Sequence, residues 1–199
     1  MLVILTVEGP NACGKTTFIN KFKSVSPLPV EIISVKTHGN MSKALLNNVV
    51  KRNTFNFNNL YLVGMINAHL ELLNYAMENN RDDKIILLDR SIPSNYVYQY
   101  YMSNTPQLNL QAYNMWLDPM SNVAYMVYIN PGVDVLKERL LKRADADHLV
   151  KDIDDIQAGY DEYFTKIRIP DIEIQDSMDV YPVFKRLGIS CKELTDAVS

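Results

Sequence analysis

The sequence predicts an α/β fold in which a parallel sheet of about five strands is covered by helices on both faces, and two observations carry that expectation. Short, continuously apolar runs of strand length recur along the chain, at 2–7, 30–35, 84–88 and 123–129, with a weaker one at 171–174. Longer segments with helical spacing lie between them, at 15–24, 57–79, 107–117, 133–143 and 147–167. A strand that is apolar on both faces belongs inside a sheet buried on both sides, which helical crossovers between parallel strands provide.

The elements read in order as follows. "LVILTV" (2–7) is the first strand; it lacks a basic flank and is too short for a signal peptide, so it reads as buried sheet. The segment 15–24 is the first helix and "VEIISV" (30–35) the second strand. "KIILL" (84–88) and "VAYMVYI" (123–129) are the third and fourth strands. The stretch 137–155 is the most polar part of the chain and, on charge alone, reads as a solvated helix-turn-helix. No repeat, low-complexity tract or Pro/Gly linker interrupts residues 1–199, which predicts a single domain.

Composition limits the function. With 47% hydrophobic and 22% charged residues the chain is an ordinary globular protein. A net charge of −3 argues against nucleic acid or a membrane surface as the main partner, because both usually require a basic excess. No apolar run approaches the length needed to cross a bilayer. The two cysteines, Cys13 and Cys191, supply neither a disulfide framework nor metal-ligand spacing, and a reducing, cytoplasmic setting fits them.

The segment "VEGPNACGKTT" places Gly9, Gly14, Lys15 and Thr16 in the pattern G-x-x-x-x-G-K-[ST], directly between the first strand and the first helix. The glycines let the backbone wrap so that successive N–H groups point at phosphate oxygens, and the helix N-terminus adds partial positive charge. Lys15 supplies a point charge for β- and γ-phosphates, and the Thr16 hydroxyl can ligate Mg²⁺. The pattern arises by chance in roughly one chain in a hundred of this length, so its position after a strand makes a bare glycine turn the weaker reading. The expected contacts to a nucleoside triphosphate are Gly9, Asn11, Ala12, Cys13, Gly14, Lys15, Thr16 and Thr17. Cys13 reads as a small residue tolerated in a tight loop rather than a redox group.

Asp89-Arg90 closes the third apolar run. Ligands of an open parallel sheet sit beyond the carboxyl ends of its strands, so this pair should face the same crevice as the cradle. Asp89 can hold the Mg²⁺ shell beside Thr16, and Arg90 can clamp phosphate; the plainer alternative is a surface ion pair.

"VEGPNACGKTT", "DRSIPSNYVYQ" and "YINPGVDVLKERLLKRADAD" together resemble the thymidylate kinase family of P-loop nucleoside monophosphate kinases over most of the chain. The cradle is shared by many NTPases; the Asp-Arg segment is the more specific part. The resemblance implies a three-layer P-loop NTPase fold with a small lid near 142–152, ATP as phosphoryl donor, Mg²⁺, a homodimer, and conversion of a deoxynucleoside monophosphate, dTMP first, to the diphosphate. It implies a catalytic set of Lys15, Asp89, Arg90 and Arg143. Arg90 would bind the acceptor phosphate, Asn95 the pyrimidine edge, and Tyr98 would pack on the deoxyribose, with Ser94 and Gln99 beside them. Lys142 and Arg143 would close over the phosphates, and Arg139 would either assist them or brace the lid.

The chain departs from that family at several points. Asn11 stands where the family usually carries an acid. "KTHGN" replaces its Arg-Glu-Pro-Gly-Gly, which makes Lys36 the stand-in for a phosphate-binding arginine, keeping charge but losing bidentate geometry. The base-reading arginine falls on Asn67 and the stacking aromatic on Val63, with Tyr61 or Phe57 as substitutes. A deoxynucleoside kinase is the nearest rival, since its Glu-Arg-Ser is partly echoed by "DRS". A sugar hydroxyl, however, needs a carboxylate as base, and the exit of the second strand reads Lys36-Thr37-His38-Gly39 with no acid. His38 lies in that predicted acceptor loop, whereas His69 reads as packing. A P-loop switch or non-catalytic ATP-binding module is a further alternative; the Asn-Lys-x-Asp motif of GTPases is absent from the chain.

Overall fold

The computed structural model describes residues 1–34, 69–72, 74–75, 78, 83–101, 124–143 and 147–191. Five strands, β1 (Leu2–Glu8), β2 (Val30–Ile33), β3 (Lys84–Asp89), β4 (Ala124–Ile129) and β5 (Ile172–Ile174), form one parallel sheet in the order β2-β3-β1-β4-β5. This is the fold class the apolar runs predict. β1 and β3 are almost wholly buried, as their continuous apolar character requires, while the edge strand β2 exposes Glu31 and Ile32.

The helices are α1 (Lys15–Val25), α2 (Ile92–Asn95), α3 (Val133–Leu141), α4 (Asp147–Lys166) and α5 (Tyr181–Leu187). Residues 69–72 are also helical. α2 continues directly into a π-helical turn, Tyr96–Tyr101. Apolar stripes seat these helices on the sheet. Phe18 and Phe22 of α1 stack towards Phe184 of α5, with 4.4 Å between the Phe22 and Phe184 centroids. On α4, Ile153, Ile156, Tyr160, Tyr163 and Phe164 are buried, and the rings of Tyr160 and Phe164 lie against Tyr128 of β4. Burying each such ring contributes about 1.5–3 kcal/mol, which explains why α4 docks by its aromatic side while its charged residues face outward.

Register brings the functional segments to one end of the sheet. Val7 of β1 pairs with Asp89 of β3 on one side and with Val127 of β4 on the other. The chain leaves β1 towards β2 and leaves β4 towards β5, so β1 and β4 flank the point where strand order reverses. A crevice opens at such a point in doubly wound sheets, and here the glycine loop fills it.

Candidate active site

The loop after β1 is built around two backbone requirements. Gly9 has φ 145, and a Cβ there would stand 2.6 Å from the Ile129 carbonyl oxygen at the end of β4. Gly14 has φ 103, and a Cβ there would stand 2.6 Å from Cβ of Ser177. Both positions therefore exclude a side chain, by conformation and by space. Ala12 also adopts a positive φ of 66. Arg139 of α3 clamps this loop from outside, its Nη1 donating to the carbonyl oxygens of Ala12 at 3.2 Å and Cys13 at 3.0 Å.

Lys15, the first residue of α1, is turned back onto its own loop. Its ammonium donates to the carbonyl oxygens of Gly9 at 2.8 Å and Pro10 at 2.6 Å, and lies 3.4 Å from Cys13 Sγ. Burial lowers its pKa to about 8, the Arg90 charge acts in the same direction, and Cys13 and Glu8 oppose the shift. Phosphate bound in the loop would favour the charged amine and raise that pKa again. Between the free and bound values, phosphate binding therefore takes up a proton, and affinity falls as pH rises through about 8. Titration calorimetry of ATP at pH 8.5, in buffers of low and high ionisation enthalpy, should show this uptake; equal apparent enthalpies in the two buffers would refute it.

The second half of the site hangs from β3. Arg90 has a left-handed backbone (φ 70), held on one side by its own N–H bonding to the Val7 carbonyl oxygen at 3.1 Å. On the other side the Ser91 N–H donates to Glu8 Oε1. The guanidinium is buried: Nη1 donates to Gly9 O at 3.2 Å, Ser94 Oγ at 2.9 Å and the Tyr160 hydroxyl at 3.0 Å, and Nη2 donates to Asn11 Oδ1 at 2.7 Å. The Tyr98 ring lies 5.4 Å from its central carbon. Burial works against the Arg90 charge, but its surroundings, the Glu8 carboxyl among them, outweigh it and keep the guanidinium above its ordinary range. Arg90 is thus a bridge between the phosphate loop and α4, not a surface ion pair with Asp89.

One cleft of about 240 Å³ is lined by Asn11, Ala12, Gly14, Lys15, Thr16, Thr17, Asp89, Arg90 and Arg143. Three cations face one carboxylate there, a balance suited to a polyanion with a metal. The structure thus gathers the predicted set Lys15, Thr16, Asp89, Arg90 and Arg143 around one space. Gly9 and Cys13 sit in the same loop, Cys13 fully buried, as a packed small residue. Lys142 is exposed and pairs with Glu138 at 2.5 Å, and Arg139 braces the cradle; neither borders the cleft. Ser94 and Asn95 are buried in α2, and the Ser94 hydroxyl is engaged with Arg90 and Glu8. Gln99 lies in the π-helical turn. Lys36, Tyr61, Asn67 and His38, with most of the predicted helices 57–79 and 107–117, lie outside the described residues.

Two residues the sequence did not single out occupy the centre of the arrangement. Glu8 is fully buried; burial pushes its carboxyl up, opposed by hydrogen bonds from Ser94 and Ser91 and by the charges of Arg90 and Lys15. Tyr160 is equally buried, its phenol held well above its usual range by desolvation, so it stays neutral.

A five-stranded parallel sheet with a glycine cradle, a loop lysine and an Asp-Arg pair at its carboxyl end has the architecture of a P-loop protein. Comparison with known proteins agrees: the family model described as deoxynucleoside kinase matches residues 5–167, and the chain belongs to that family. A curated relative, the thymidylate kinase of Acholeplasma laidlawii (strain PG-8A), is 27% identical over 162 residues, covering 72% of this chain and 74% of that protein. The crystal structure of the YorR protein of Bacillus subtilis, in complex with phosphorylated GDP, superposes with a TM-score of 0.57 at 20% identity, covering 98% of this chain and 95% of that one. That likeness speaks for the fold. Among the described residues, no helix is long and apolar enough to cross a membrane.

Proposed function

We propose that the protein transfers the γ-phosphoryl group of ATP to a deoxynucleoside monophosphate, with dTMP the first candidate and dTDP the product. The observation that carries this reading is the charge balance of the cleft: Lys15, Arg90 and Arg143 against the single carboxylate Asp89 among its lining residues. A phosphate acceptor is already ionised, so it needs positioning and charge neutralisation more than a base. The 9–17 backbone and Lys15 hold the donor phosphates, Arg90 orients the acceptor, and Arg143 reaches the transferring group. The residues fit Mg²⁺: Thr16 offers a hydroxyl and Asp89 a carboxylate on the same cleft, and both would hold it. When bound, the metal neutralises charge on the phosphate oxygens. A homodimer, carried by the family resemblance, and a cytoplasmic location, which fits two cysteines without a disulfide framework, complete the reading.

The second reading, phosphorylation of a nucleoside 5′-hydroxyl, is favoured by the description of the matching family model. An ATP-coupled assay over the four deoxynucleosides and their monophosphates, with ribonucleotides as controls, separates the two. The proposal expects dTMP to be turned over well ahead of thymidine; the reverse order would replace it with the nucleoside reading.

A further inference from the structure

We infer that Glu8 and Tyr160 are positioning residues for Arg90, acting through a buried chain of hydroxyls that ends on a carboxylate. The inference rests on the acceptor-side role proposed above for Arg90 and adds to it what sets the guanidinium in place.

Three side chains from three elements meet at this point. Tyr160 comes from α4, Ser94 from α2 and Glu8 from the last position of β1. Ser94 Oγ lies 2.7 Å from Glu8 Oε2 and 2.7 Å from the Tyr160 hydroxyl, and both hydroxyl oxygens accept from Arg90 Nη1. With Glu8 ionised, only one assignment of protons satisfies all four contacts. Ionised Glu8 can only accept, so Ser94 donates to it; Ser94 then has no proton left for Tyr160, so Tyr160 donates to Ser94. The chain runs Tyr160 O–H to Ser94 O–H to Glu8 carboxylate. Each donation increases electron density on the donor oxygen, which strengthens its acceptance from the guanidinium. All three side chains are at least nine-tenths buried, so water does not dilute the effect.

Glu8 acts on the backbone as well. A non-glycine residue in the left-handed region carries strain of about 1–2 kcal/mol. The Arg90 N–H to Val7 carbonyl bond and the Ser91 N–H to Glu8 bond fix both peptide groups flanking that conformation. Glu8 thus sets Arg90 twice: its main chain through Ser91, and its side chain through Ser94 and Tyr160. Nη2 is left donating to Asn11, itself a lining residue of the cleft.

The test uses steady-state kinetics on Tyr160→Phe, Glu8→Gln and the double variant, with Arg90→Lys alongside. Tyr160→Phe keeps the ring packing against Tyr128 and Phe164 and removes only the hydroxyl. It should lower kcat/KM for the acceptor about tenfold while leaving KM for ATP within about twofold. Glu8→Gln should do the same or more, because one of its two acceptor oxygens becomes a donor facing another donor. The double variant should lose less than the product of the single losses, as expected for members of one network. Unchanged acceptor kcat/KM in folded Tyr160→Phe, or equal damage to ATP and acceptor parameters, overturns the positioning inference. Should Glu8→Gln fail to fold, Tyr160→Phe decides alone. If Arg90→Lys itself leaves acceptor use intact, the assigned role of Arg90 fails instead, so the two failures are distinguishable.

Discussion

Replacing Lys15 by Ala should lower turnover by two orders of magnitude or more while leaving the fold intact. Removing one preorganised electrostatic donor from a transferring or developing anion typically costs about 10²–10³ in rate. Lys15 is the only cation in the loop after β1, so nothing else in the loop can replace it. The cost to folding should be slight, because two opposing terms nearly cancel. The ammonium is nine-tenths buried and its pKa is depressed by burial, so removing it relieves a desolvation penalty. In exchange the carbonyl oxygens of Gly9 and Pro10 lose a charged donor. A coupled assay alongside thermal melting measures both effects. A Lys15→Ala enzyme that turns over at near-normal rate would remove the proposed donor mechanism.

Replacing Arg90 should do more damage of two distinct kinds. Arg90→Ala removes the larger of the two cationic charges that oppose the burial penalty on Glu8, while leaving that carboxyl fully buried. Leaving a buried carboxylate without the cation that offsets its burial costs about 3–5 kcal/mol, a large part of the stability of a domain of this size. Four hydrogen bonds joining the loop after β1, α2 and α4 go with it. Arg90→Lys separates stability from function. It keeps the charge beside Glu8 but cannot reach Ser94, Tyr160 and Asn11 at once with a single ammonium. Acceptor kcat/KM should fall by about a hundredfold or more, with KM for ATP little changed, because ATP is held chiefly by the cradle. Equal losses for donor and acceptor would show that Arg90 serves the cradle and not the acceptor.

The sheet and the cradle were legible in the sequence because both are local statements. A buried parallel strand is a run of apolar residues, and the phosphate loop is a spacing of glycines beside a lysine. Asp89 and Arg90 were legible as a pair, but not their divergence. Arg90 turns inward because its backbone is left-handed, and no neighbouring glycine or asparagine announces that conformation. Glu8 carried a readable signal, an acid closing an apolar strand, but its neighbour Gly9 drew attention to the loop instead. Tyr160 carried none. It stands on the aromatic stripe of α4 among Ile156, Tyr163 and Phe164, and such a stripe reads as core. Only the pairing of distant elements shows that its hydroxyl reaches the guanidinium of a residue 70 positions away.

The close approach at Gly14 has a consequence for how the sequence can change over time. Ser177, from the segment after β5, occupies the space that a side chain at position 14 would need, and Arg139 stands just beyond it. A helical start, a bend near the far edge of the sheet and a cation from α3 therefore share one small contact volume. Position 177 inherits a size limit from a residue 163 places earlier, although nothing in its own neighbourhood in the chain demands a small side chain. Among descendants of this chain, drift at 177 should be confined to glycine, alanine, serine and other residues of similar bulk. Position 14 in turn is constrained twice over, by its backbone and by its neighbour, so relaxing one constraint alone would not release it.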